Sequence, residues 1–142
     1  MHNVFRRTTW IPLTLLWLVT AHCTAAPSTG PGRTVHYIQI RDSVSPTQVY
    51  ASVGDEIRWQ NLRPDAVKIG LLDARGLDEA SCADGFRRFG LIEDSITIHP
   101  REFASLCFSK PTVIRYNVWF DAKDPRGEMT RTSTVWIRDA RH

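Results

Sequence analysis

No stretch of the 142 residues is both long and apolar enough to cross a bilayer: the apolar run Trp10–Val19 (WIPLTLLWLV) is about ten residues, against the roughly twenty a spanning helix needs. No segment of useful length repeats apolar residues at a helical period, which argues against bundles and α/β layers. No internal repeat appears, so a solenoid is excluded. There is no nucleophile elbow, HExxH, phosphate-binding loop or paired-carboxylate motif, and the chain reads as a non-enzyme. Cysteine and methionine are scarce, with three and two copies, and before Asp42 there is no acidic residue at all.

What is present at the N-terminus has the order of a secretory signal. Met1–Arg7 (MHNVFRR) ends in two arginines, the apolar run follows, and Thr20–Ala26 (TAHCTAA) supplies small residues for cleavage. The reading is therefore a signal peptide over 1–25, a Pro/Gly/Ser linker over 26–33 and one domain over 34–142. Cleavage after Ala26 is the alternative, disfavoured by Pro27. A lipid anchor on Cys23 is a weaker reading, because His22 precedes it where a small residue is the rule. The expected location is periplasmic or secreted, with no stable membrane span once the signal is removed.

Export changes the charge. The whole chain holds 18 Lys and Arg against 15 Asp and Glu; without Arg6 and Arg7 the balance is 16 to 15. Scattered charges with a net of one give no basic face for nucleic acid. About 115 residues suit a single core. Cys82 and Cys107 then remain as a pair, which in an oxidising compartment reads first as a disulfide, with two free thiols as the alternative. Closing the loop of about 26 residues between them stabilises by about 3.5 kcal/mol in the chain-entropy account.

The rest settles into short β-patterned runs: Thr34–Ile40, Val49–Val53, Glu56–Gln60, Val67–Leu72, Ser95–Ile98, Glu102–Phe108, Thr112–Phe120 and Arg131–Arg138. Ile57 and Trp59 alternate with Arg58 and Gln60, so Trp59 is the expected core anchor between two sheets. Gly54–Asp55 signals a tight reversal in which Gly takes a positive φ and Asp binds nearby amides. Residues 73–94 form an irregular insertion, with a short helix expected around Leu77–Ala83. About seven short strands at near-regular spacing indicate an antiparallel Greek-key β-sandwich.

The run Val53–Asn61 (VGDEIRWQN) resembles the V-G-D-x-(V/I)-x-W-x-N signature of cupredoxins, the plastocyanin-related blue-copper proteins. Ile98–Phe103 (IHPREF), Leu106–Phe108 and Pro111–Tyr116 (PTVIRY) are similar to later pieces of the same pattern. The resemblance implies a cupredoxin-like sandwich, and it implies a place for copper. Such a centre takes two imidazoles, a thiolate and a weak axial ligand. The resemblance puts the first histidine soon after Asn61, where Leu62–Lys68 contains none. It puts the cysteine at Val118 and the second histidine at Asp121, and only Met129 lies near the axial position. His36 and His99 are weak metal candidates, better read as a strand side chain and a turn residue; His142 is terminal.

The expectation is thus a copper-free, cupredoxin-like binding or structural module of the cell envelope, without a cofactor and with a protein partner. Its partner-facing residues are expected to be Arg63, Asp65, Trp119, Phe120, Asp121 and Met129, with core packing favoured for one of Trp119 and Phe120. The alternatives are a copper-binding electron-transfer protein with a non-standard site, or an accessory domain of an envelope oxidase or metal-transport system.

Overall fold

The computed structural model describes residues 33–124 and 126–139; the signal, Cys23, most of the linker and His142 lie outside them. The elements are β1 (Val35–Ile40), β2 (Val44–Ser45), β3 (Gln48–Ser52), β4 (Glu56–Asn61) and β5 (Val67–Leu71). A 3-10 turn (Ala74–Glu79) leads to β6 (Ala80–Asp84), β7 (Arg87–Arg88), β8 (Leu91–Ile92), β9 (Ser95–Ile98), β10 (Phe103–Phe108), β11 (Thr112–Trp119) and β12 (Ser133–Arg138).

Two five-stranded sheets face each other, in the orders β2-β1-β4-β10-β6 and β3-β12-β11-β5-β9, while β7 and β8 pair by themselves. The expected β-sandwich is present, but it is not purely antiparallel. β1 runs parallel to β4, and β3 parallel to β12. The cause is a change of sheet: after β2 the chain crosses over, so β3 descends in the second sheet and β4 climbs beside β1 in the first.

β4 shows how the sequence builds the core. Its alternation buries Ile57, Trp59 and Asn61 and leaves Glu56, Arg58 and Gln60 partly exposed. Trp59 is fully buried, and the rings of Phe86 and Tyr116 meet it edge-to-face at 5.5 and 5.4 Å. Burial raises the Tyr116 phenol above its ordinary pKa, and the facing Ser133 and Trp59 side chains offset part of that rise. No partner meets the Tyr116 hydroxyl, Ser133 Oγ or Trp59 Nε1 at full hydrogen-bond geometry.

The sandwich has a closed end and an open end, set by the direction of β4. At the closed end Gly54 takes φ +90 and Asp55 is buried. Asp55 Oδ2 accepts from Ser52 N (2.9 Å), Oδ1 accepts from Thr34 N (3.0 Å), and His36 Nε2 lies 3.0 Å from Oδ2. Burial alone would raise the Asp55 carboxyl. Hydrogen bonds from the Ser52 amide, His36 and the Thr34 amide, with the charge of the imidazole, outweigh it and hold the carboxyl below its ordinary value.

The insertion differs from its expectation. The helical turn covers Ala74–Glu79, earlier than Leu77–Ala83, because the Asp73 side chain caps it by accepting from Arg75 N at 3.2 Å. Ala80–Asp84 instead forms edge strand β6 against β10. Cys82 lies directly opposite Cys107 in that pairing, and the two are joined in a disulfide. Such a bond belongs to an oxidising compartment. Among the described residues no helix is long and apolar enough to cross a membrane.

Candidate functional site

The open end is organised by one buried amide. Asn61, the last residue of β4, donates from Nδ2 to Asp65 O (2.8 Å) and Ile98 O (2.9 Å), and its Oδ1 accepts from Arg63 N (2.9 Å). Its backbone completes the junction: Asn61 N donates to Glu102 O, and Arg101 N donates to Asn61 O, both at 3.0 Å. The 62–66 loop and the end of β9 are thereby held to the Asn61 side chain, and the 99–102 turn to its backbone.

Arg63 leans from this junction across the opening. Its guanidinium lies 4.8 Å from the Phe120 ring centroid and donates to Arg41 O at 2.9 Å, while its Nε is buried without a partner. Phe120 packs on the edge of the core. The 121–128 loop is a chain of aspartate turns: Asp121 Oδ1 accepts from Lys123 N at 2.9 Å, and Asp124 Oδ1 accepts from Arg126 N at 3.0 Å. Ala122 N donates to Ala66 O at 3.2 Å, so the two loops are joined at their base.

Between them lies a cleft of about 780 Å³. Arg63, Asp65, Phe120 and Asp121, all expected at a partner surface, line it together with His99. Two further cleft carboxylates, Asp124 and Glu128, and Lys123 come from the same loop. Four carboxylates therefore face two permanent cations. Lys123, Asp124 and Glu128 belong to no motif in the sequence.

Trp119 and Met129 sit elsewhere. Trp119 turns to the outer face of the second sheet and covers Gly70, where a Cβ would come within 2.8 Å of the indole. Met129 is bridged to Trp119 through the backbone, and its side chain is half exposed beside the cleft lining rather than in it. Of the two aromatics, it is Phe120 that packs on the core edge.

The donor set at this end does not fit a blue-copper centre. Val118, at the position the resemblance assigns to the thiolate, is fully buried in the apolar core. Asp121, at the second imidazole position, is exposed and occupied in capping its own turn. Cys107 is oxidised, and His36 is bound to Asp55 at the opposite end of β1. Among the described residues no three His, Cys, Asp or Glu side chains are grouped to hold a metal.

No family model matches the chain, and no curated protein matches it. Solved structures do. An amicyanin variant in its reduced Cu(I) form at pH 4 is 15% identical, over 78% of this chain and 86% of that one, with a TM-score of 0.45. A second Cu(I) amicyanin variant is 12% identical over 72% and 81%, with a TM-score of 0.47. An oxidised amicyanin variant is 15% identical over 78% and 86%, at 0.45. A likeness of this size concerns at most the fold; what the site can hold is decided by this chain's own residues.

Proposed function

We propose that this protein is an exported, copper-free binding module of the cell envelope, whose open end receives a protein partner. One observation carries the reading: the end where the resemblance would put copper is built instead as a cleft, with Arg63 stacked on Phe120 and carboxylates at its rim. Rigid sandwiches commonly carry recognition on the loops at one end. The stacked arginine and the phenyl ring supply a flat contact area of the kind that anchors interfaces. Asp65, Asp121, Asp124 and Glu128 favour a partner presenting basic groups. The disulfide supports an oxidising compartment, and the signal-like N-terminus supports export to the periplasm or beyond.

Two measurements test this. Protein incubated with copper and then freed of loose metal is expected to retain well under one equivalent and to show no intense visible absorption. Stoichiometric copper with a strong visible band would overturn the copper-free reading. A photo-cross-linker at Lys123, in the protein's own compartment, is expected to yield a discrete adduct that weakens several-fold in the Asp121→Lys variant. An adduct pattern unchanged by that reversal removes the cleft as the partner site.

A further inference from the structure

Away from the cleft, the insertion carries a small spike rooted in the core. Phe86 is fully buried against Trp59. Gly85, at φ +79, lies so close to Ala104 that a Cβ would stand 2.9 Å from its methyl. Glu93 N donates to Phe86 O at 2.8 Å and closes the base. Above it β7 and β8 pair through Arg87↔Ile92 and Arg88↔Leu91, leaving a two-residue turn, Phe89–Gly90.

Both turn residues have positive φ, +50 and +84, the signature of a type I′ hairpin. Its first position suits Asn, Asp or Gly, and a bulky residue there is strained. Phe89 nevertheless occupies it and is 94% exposed, with Leu91 74% exposed beside it. A strained, solvated aromatic does nothing for the fold. Arg87 and Arg88 flank the tip, and the Arg88 guanidinium lies 5.5 Å from the Phe89 ring centroid. No carboxylate occurs between Gly85 and Ile92. Lys68 shares a shallow groove on one side of the hairpin with both arginines and Glu93. On the other side Arg87 and Leu91 line a groove with Asp78, Glu93 and Asp94, so the carboxylates lie at the base of the spike and the arginines nearest its tip.

We infer that this tip inserts into an anionic lipid surface. A convex spike of two apolar side chains is far smaller than the roughly 800 Å² each partner contributes to a standard protein interface. A fluid bilayer interface, by contrast, closes around a convex tip. Phe89 and Leu91 would enter the boundary between headgroups and acyl chains while Arg87 and Arg88 reach phosphates from their long stems. Near an anionic surface each such cation strengthens binding appreciably. The rooted base keeps the tip presented instead of folding it back.

The test uses the full chain carrying Phe89→Trp, with vesicles whose acyl chains are brominated. The readout is the fluorescence this variant adds over the parent, so attachment through the N-terminal apolar run alone leaves it unchanged. On phosphatidylglycerol vesicles the added emission is expected to shift to the blue and be quenched. Reversing both charges, Arg87→Glu with Arg88→Glu, is expected to weaken that response about tenfold or more while the thermal transition is retained. Unquenched added emission on the anionic vesicles overturns the inference. Equal quenching on phosphatidylcholine vesicles overturns it too, since the arginines would then have no role.

Discussion

The two ends of β4 solve the same problem with different chemistry. At the closed end the buried carboxylate of Asp55 gathers the start of β1, the end of β3 and His36. At the open end the buried amide of Asn61 gathers the 62–66 loop and the end of β9. The first anchor is ionisable; the second is neutral at every pH. An acceptor-only carboxylate suits a site that offers amide and imidazole N–H groups. A carboxamide suits one that offers both carbonyls and an amide. The closed end is therefore sealed but sensitive to acid, whereas the open end holds its shape while exposing a cleft.

The largest expected effect removes what both ends depend on. Trp59→Ala empties the space between the sheets and should cost about 3–5 kcal/mol in denaturant unfolding, as large aromatic truncations in cores do. A loss under about 1 kcal/mol would mean that the two ends are stable without the centre.

Next come the anchors themselves. Asn61→Ala strands an amide and two carbonyls and should cost about 1–3 kcal/mol, with the same loss at acid and neutral pH. Asp55→Asn should cost a comparable amount at pH 7, but its deficit against the parent should shrink in acid. The folded pKa of Asp55 lies below the unfolded one. Its stabilising contribution is therefore complete above the unfolded value and is lost as pH falls through the folded one. Two parallel stability-against-pH curves would remove the proposed contrast. The smallest effect is Arg63→Ala. Its stacking on Phe120 at a partly exposed site is worth on the order of 0.5–1 kcal/mol, so the variant should stay folded and lose partner binding instead.

Much of the closed end was legible in the sequence, because Gly54–Asp55 and the alternation through Ile57 and Trp59 are local signals. The pairing of Cys82 with Cys107 was legible too, by counting cysteines once the signal was set aside. The parallel pairs were not. They depend on which sheet the chain enters after β2, a choice that no residue pattern between Val44 and Gln48 announces. At the open end the loops themselves stood out, but their assembly did not. Asn61 reaches Ile98 across 37 positions, and only the folded register brings His99 to the cleft. The spike was missed because Phe-Gly is not a usual hairpin turn, and its positive φ shows only in the backbone.

The covalent link between Cys82 and Cys107 has a consequence beyond the stability of a single chain. β6 is the outermost strand of its sheet, and behind it lies β10, Phe103–Phe108, with five of its six residues buried. A rim strand that peeled away would offer β10's free amides and carbonyls to another molecule, the usual start of edge-to-edge aggregation. Fastened to β10 at its middle residue, β6 cannot leave without breaking a bond. The oxidised pair therefore works against the edge exposure from which such self-association starts.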